Sequence, residues 1–132
     1  MAIEPGLKFV TIAAGATRVV GTQIYQTRFT NKVTIRRFQI SGGDQVGSSS
    51  PTLLLNIDDA GLDGQGTTAI ADRSAAALAD NEMETLEANN SGGSDGYVLP
   101  AGHILRCTVT TAGSSNQYDP LVIVAEIVEG VG

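Results

Sequence analysis

The chain has little of several residue types that common functions require. Its 132 residues include one cysteine, one histidine, no tryptophan, three tyrosines and three phenylalanines. One cysteine cannot form an internal disulfide, and His103 with Cys107 falls short of the three or four ligands of a zinc site. So few aromatic rings also leave little on which single-stranded nucleic acid or sugars could stack. We therefore expect no metal and no cofactor.

Long apolar runs are absent as well. None approaches the ~20 residues that span a bilayer, and the N-terminus lacks the basic and apolar regions of a secretory leader. We expect a protein that is made in the cytosol and has no membrane partner. Its length suits one domain covering residues 1–132.

Charged residues are scarce, and the two signs are unevenly distributed. They make up 17% of the chain, below the roughly 25% of soluble domains, which indicates that partners cover part of the surface. The net charge of −6 disfavours nucleic acid as a partner. Basic residues dominate positions 1–37, where Lys32, Arg36 and Arg37 crowd one predicted strand, and acidic residues dominate positions 58–95. We expect these three basic residues to meet carboxylates of a partner; the alternative is that both segments are solvated.

Patterns for catalysis are missing. No Gly-x-Ser-x-Gly joins a strand to a helix, and the glycine pairs at 42–43 and 92–93 lack the Lys-Ser or Lys-Thr of a phosphate loop. The acidic stretch at 58–64 lacks the alternating oxygen ligands and the final glutamate of an EF-hand. We therefore expect no catalytic residues, and the chain is predicted not to be an enzyme.

Most of the chain consists of β-favouring runs separated by turn-forming residues. Strands are predicted near 7–13, 17–21, 23–29, 32–41, 52–57, 97–110 with a break at 100–102, and 120–129, with a loop from 42 to 51. Gly15 marks either a gap between two strands or a bulge, and a slip of parity at Arg36 and Arg37 indicates another bulge. Many irregularly spaced strands without alternating helices predict an all-β fold, an antiparallel two-sheet sandwich of jelly-roll type.

The segment 58–90 has a different composition. Turn formers fill 58–66, whereas 72–86 is rich in Ala, Leu, Glu and Met and has neither Gly nor Pro. This favours a possible short helix with its N-cap at Asp72 or Ser74. The competing interpretation is a strand at 83–88.

Two strands near the C-terminus carry the clearest signal. Leu105, Cys107 and Val109 alternate with polar neighbours, which predicts that Cys107 is a buried structural thiol. Residues 121–128 are apolar except for Glu126, which is typical of a strand covered on both faces, either deep in a sandwich or in an oligomer.

This C-terminal part also resembles a known family. Residues 97–113, Tyr-Val-Leu-Pro-Ala-Gly-His-Ile-Leu-Arg-Cys-Thr-Val-Thr-Thr-Ala-Gly, and residues 121–127, Leu-Val-Ile-Val-Ala-Glu-Ile, resemble the closing strands of small jelly-roll virion proteins of tailed bacteriophages. The strands near 32–40 and 52–57 lie where such proteins have their middle strands.

The resemblance implies a structural virion protein, made in the host cytoplasm, of the capsid decoration or cement type. Such a protein would stabilise the phage head as a homo-oligomer, with a trimer favoured, bound to the major capsid protein. The basic residues would then meet the acidic segment of a neighbouring copy or an acidic patch of that capsid protein. The alternatives are a receptor- or glycan-binding fibre or tail tip module and a cellular sandwich domain in a larger complex.

Overall fold

The computed structural model describes residues 7–15, 21–46, 52–73, 83–88, 96–112 and 117–129, and every regular element in these ranges is a β-strand. The strands are β1 (Leu7–Gly15), β2 (Gly21–Arg28), β3 (Val33–Val46), β4 (Thr52–Asp59), β5 (Thr68–Arg73), β6 (Met83–Glu87), β7 (Tyr97–Leu99), β8 (Ile104–Ala112) and β9 (Gln117–Glu129). Over the same residues there is no helix that is long and apolar enough to cross a membrane.

The strands form two antiparallel sheets. The first sheet has the order β1-β9-β3-β6, and β7 pairs with β3 beside β6; the second sheet has the order β2-β8-β4-β5. Each of these sheets therefore mixes strands from the beginning, middle and end of the chain. A five-stranded and a four-stranded sheet joined in this way form a jelly roll. The predicted antiparallel jelly-roll sandwich is confirmed.

The core lies between the sheets and is filled by alternate residues of the long strands. On β9 the buried side chains are Leu121, Ile123, Ala125 and Ile127, and Phe38 of β3 packs among them in the same apolar cluster. Full burial of such side chains contributes about 1.5–3 kcal/mol each relative to exposure.

Cys107 is part of the same core. It is 1% exposed, and burial, followed by the nearby charge of Asp58, raises its pKa to about 12. A thiol with this pKa is inert at neutral pH. The prediction of a buried structural thiol is confirmed.

Several predicted boundaries need correction. The loop predicted at 42–51 is wrong for residues 42–46, because β3 continues to Val46 and pairs with β9 as far as Gln117. A strand that the sequence did not indicate, β5, forms a hairpin with β4. The predicted short helix is wrong where the structure describes it, because Asp72 and Arg73 belong to β5 and residues 83–86 belong to β6. Residues 74–82 of that prediction lie outside the described residues. The competing interpretation, a strand near 83–88, is confirmed.

The two predicted bulges have different outcomes. In β3 the pairing register with β9 shifts between Ile35 and Arg37, as the parity slip predicted. In β1 the register shifts between Thr11 and Ala13, before Gly15 rather than at it. The predicted strand at 17–21 lies outside the described residues except for its last residue, which begins β2.

The bulge in β3 fixes the start of β7. Gly96 has a φ of 100°, and a Cβ at this position would overlap the backbone carbonyl of Ile35. Only glycine allows this conformation together with this close approach. On the other side of the bulge, the backbone N–H of Ala88 donates to the carbonyl of Arg36 at 3.2 Å.

An ion pair joins the two sheets along one open side. The Arg73 side chain on β5 is 5% exposed, and its Nε and Nη2 donate to the two carboxylate oxygens of Glu84 on β6 at 2.8 and 3.2 Å. Its Nη1 donates to the backbone carbonyl of Leu53 at 2.8 Å. This two-pronged contact satisfies a buried guanidinium and fixes β6 next to the second sheet.

Candidate interaction surface

The outer face of the first sheet is the surface on which the structure concentrates exposed apolar residues. Strand pairing places its residues in four rows, each crossing the sheet from β1 through β9 and β3 to β6 or β7. The first row is Leu7, Val128, Thr34 and Val98; the second is Phe9, Glu126, Arg37 and Glu87; the third is Thr11, Val124, Gln39 and Thr85; the fourth is Ala14, Val122, Ser41 and Met83.

Apolar side chains occupy half of the sixteen positions in these rows and reach both edges of the face. Phe9 on β1 is 59% exposed, Met83 on β6 is 63% exposed and Val98 on β7 is 44% exposed. Between them the outward valines of β9 are only half-buried. Isolated exposed apolar residues are ordinary, but several of them on one sheet face indicate an interaction site.

One row of charges crosses the middle of the apolar face. Arg37 donates from Nε to Glu87 at 3.1 Å and from Nη1 to Glu126 at 2.6 Å. Hydrogen bonding to Glu87, followed by the charge of Glu126, raises the pKa of Arg37. The Glu126 side chain is 14% exposed, so this carboxylate is largely shielded from water by its neighbours. The row carries one positive and two negative groups.

The outer face of the second sheet is polar by comparison. In its central strand β8 the outward residues include Arg106, Thr108 and Thr110, whose partners on β2 and β4 are polar except for Ile24 and Leu54. The hydroxyls of Thr22 and Thr110 lie 3.1 Å apart across the strand pair. The first sheet therefore has the more apolar outer face, here called the apolar face, and hydrophobic burial with a partner would favour it.

The three basic residues predicted as an interaction group occupy different positions. Lys32 is exposed in the turn between β2 and β3, Arg36 is half-buried at the bulge, and Arg37 lies in the charged row of the first sheet. The structure therefore brings only Arg37 onto the apolar face. One of its two partners, Glu87, belongs to the acidic segment 58–95, but to that of the same chain.

The sequence did not indicate Phe9, Met83 or Glu126 as surface residues. For Glu126 a signal existed, because it is the one charged residue in a run that is otherwise apolar on both faces. For Phe9 and Met83 the sequence carried no such signal, because their neighbours on this face belong to strands that lie far apart in the chain.

A second group of polar side chains lies at the end of the sandwich where β4 and β5 connect. Asp59 is 6% exposed, and its carboxylate accepts from the hydroxyl of Tyr97 at 2.6 Å and from the backbone N–H of Gly61 at 2.9 Å. Its Oδ1 also lies 2.9 Å from Nδ1 of His103. Three separate segments therefore meet at one buried carboxylate.

Ionisation of this group follows from its contacts. Burial raises the pKa of Asp59, but the hydrogen bonds from Tyr97, Gly61 and His103 outweigh burial and hold it below its ordinary value. Burial, followed by the bond to Asp59, raises the pKa of the Tyr97 phenol. Asp59 is therefore a structural anion that ties loops together.

No other cluster in the described ranges suggests chemistry. Among those residues, no group of three or more His, Cys, Asp or Glu side chains could hold a metal ion. His103, predicted as a histidine at the edge of a turn, is placed after the turn at 100–102 and contacts Asp59.

Comparison with known proteins identifies the fold but no family. No protein-family model matches the chain, and neither does any curated protein sequence. Among solved structures, it is similar to the infectious bursal disease virus VP2 subviral particle and to the Gx strain of that virus, each with a TM-score of 0.51 and 12% identity. The T13 viral particle of the same virus gives a TM-score of 0.50 and 12% identity.

These alignments cover nearly all of this chain but a minor part of the viral ones. They span 94% of this chain and 31–32% of the matched chains, so it corresponds to about a third of their length. At 12% identity the likeness is one of fold alone. The chain therefore has a viral capsid-like jelly-roll fold.

Proposed function

We propose that the chain is a structural virion protein, and more specifically a capsid decoration or cement protein of a tailed bacteriophage. In this role it binds the major capsid protein, forms a closed homo-oligomer, with a trimer favoured, and stabilises the head by many weak contacts acting together. Its location is the virion, after synthesis in the host cytoplasm. The role requires no catalysis and no cofactor.

One observation carries this proposal. Strand β9 is apolar on both faces, yet only the face with Leu121, Ile123 and Ile127 is covered within the chain. A central strand with this pattern is expected to be covered on both sides. An assembly supplies the missing cover, and the viral capsid-like fold supports a particle as the assembly.

The alternative role as a receptor- or glycan-binding tip module receives less support. Sugar recognition by stacking needs accessible aromatic rings, whereas Tyr25 and Tyr97 both pack against the core, and the Tyr97 hydroxyl is bonded to Asp59. The exposed ring of Phe9 lies on the apolar face rather than on a loop.

Copy number on purified particles tests the proposed function. A decoration protein is expected in large, fixed stoichiometry relative to the major capsid protein, measured by quantitative mass spectrometry of the particles. A tip module would be present in a few copies, and absence from particles would contradict both roles.

The predicted basic group is tested by charge reversal. Arg36→Glu combined with Arg37→Glu is expected to lower occupancy on particles, with a larger effect at low salt, because charge steering is screened by ions. Arg28→Glu combined with Arg106→Glu changes the net charge equally on the second sheet and serves as control. Circular dichroism verifies folding of both proteins. Unchanged occupancy of the first variant at every salt concentration would mean that these arginines take no part in binding to particles.

A further inference from the structure

We propose that the outer face of the first sheet pairs with the same face of a second copy, about a two-fold axis that runs parallel to the strands between β9 and β3. This inference deepens the proposed function, because it names the partner of the apolar face. It concerns one contact between two copies, and such a contact links closed oligomers as readily as single chains.

Charge complementarity within the second row identifies the partner as another copy. Rotation about such an axis reverses the order of the four strands, so that β9 of one copy faces β3 of the other. Glu126 then lies opposite Arg37 of the second copy, and Arg37 lies opposite Glu126. Two like rows thus form an alternating square of charges, in which each ion pair of Glu126 and Arg37 gains a second, oppositely oriented pair. A flat apolar partner would cover the same half-shielded ion pair and offer it no polar partner in place of water.

The outer positions of the first and fourth rows are complementary in size under the same rotation. In the fourth row the long Met83 lies opposite the small Ala14, and in the first row Leu7 lies opposite Val98. Phe9 lies opposite the stem of Glu87, at the outer margin of the pair. An interface that is isologous requires this kind of match between one patch and itself.

The size of the face predicts the strength of the contact. Four rows of four residues are somewhat fewer than the roughly 20–30 residues on each side of a standard interface. We therefore expect a reversible pair that needs high protein concentration in solution and that is strengthened where many copies are held together.

Paired charge reversals test the arrangement. Glu126→Arg places two arginines opposite two arginines, and Arg37→Glu places two glutamates opposite two glutamates, so each variant alone is expected to bind itself at least about tenfold more weakly than the parent. A mixture of the two variants places arginines opposite glutamates and is expected to associate at least as well as the parent. Sedimentation equilibrium measures all three. A parent protein that stays monomeric, or a mixture that associates no better than either variant, overturns the proposal.

A second pair of variants keeps the test valid if the charge reversals fail to fold. Val124→Glu adds a charge to the middle strand of the apolar face, and Thr108→Glu adds the same charge to the middle strand of the other sheet; both positions are half-buried. Val124→Glu is expected to abolish self-association and Thr108→Glu to leave it unchanged. Equal effects, or an effect of Thr108→Glu alone, overturn the proposal.

Cross-linking with a short bismaleimide tests the register of the pair. Sheets packed face to face lie about 10 Å apart, which is too far for a direct disulfide but within reach of such a reagent. Positions 9 and 87 face each other across the proposed pair, so Phe9→Cys mixed with Glu87→Cys is expected to give a cross-linked dimer. Phe9→Cys mixed with Met83→Cys, two rows away, is the control and is expected to give none. The reverse pattern overturns the proposed axis.

These results can be separated from those on the proposed function. Abundant copies on particles together with a parent chain that stays monomeric would retain the virion role and assign the apolar face to the capsid protein. Pairing in solution without binding to particles would retain the pair and reject the virion role.

Discussion

Removal of the Tyr97 hydroxyl is expected to destabilise the protein in a pH-dependent way. This hydroxyl donates to Oδ2 of Asp59 at 2.6 Å, and the Asp59 side chain is 7% exposed. Hydrogen bonds to charged groups contribute roughly 1.5–3 kcal/mol, and a buried acceptor that loses its donor stays desolvated. Tyr97→Phe should therefore lower the free energy of unfolding by about 2 kcal/mol at pH 7.

The pH dependence follows from the depressed pKa of Asp59. A carboxylate whose folded pKa lies below its unfolded value of about 3.9 contributes stability above that value, and the contribution disappears as the pH falls through the folded pKa. The hydroxyl of Tyr97 favours the ionised form. The parent protein and Tyr97→Phe should therefore converge in stability when Asp59 is protonated.

Urea unfolding followed by circular dichroism at a series of pH values from 7 down to about 2 measures both effects. Tyr25→Phe is a matched control, because it removes a half-buried phenolic hydroxyl on β2, outside this network. We expect the control to change stability by less than about 0.5 kcal/mol. An equal loss for Tyr97→Phe at all pH values would refute the assignment of Asp59 as a buried anion stabilised by this bond.

Four further tests examine the packing. Ile123→Asp places a charge at a fully buried position and should prevent folding, so that soluble protein with a native circular dichroism spectrum would contradict the core assignment. In the parent chain, Cys107 should react with a thiol reagent only after denaturant is added, since burial raises its pKa to about 12. Arg73→Ala should lower the free energy of unfolding by about 2 kcal/mol in thermal denaturation, because it removes a buried hydrogen bond to the Leu53 carbonyl and the ion pair with Glu84. Gly96→Ala should destabilise more than Gly15→Ala: both glycines have positive φ, but only at Gly96 does a Cβ meet backbone atoms. Equal melting temperatures for the two glycine variants would contradict this difference.

Helix propensity was a poor guide in the segment before and within β6. The alanine-, glutamate- and leucine-rich composition from Asp72 favours a helix locally. In the folded chain, however, Phe38 and its neighbours in β3 offer an unpaired sheet edge, and Leu86 reaches the core only from an extended backbone. Tertiary pairing therefore overrides a weak local preference. The alternative strand at 83–88 was correct because Met83, Thr85 and Glu87 alternate with the inward residues.

The sequence by itself determined those features that depend on residues close together in the chain. Alternation of apolar and polar residues established the strands and the burial of Cys107, and the parity slip at Arg36 and Arg37 established the bulge in β3. The apolar run in β9 also indicated a strand that needs cover on both faces.

Tertiary structure alone decided which strands become neighbours, and with this the composition of the surface. Phe9, Arg37, Glu87 and Glu126 come from four distant parts of the chain and form one row only because β9 inserts between β1 and β3 while β6 joins the far edge of β3. The same holds for Asp59 and Tyr97, which meet where two sheets end. Strand order depends on long-range packing and hydrogen bonding, and alternation within a strand carries no information about the strand beside it.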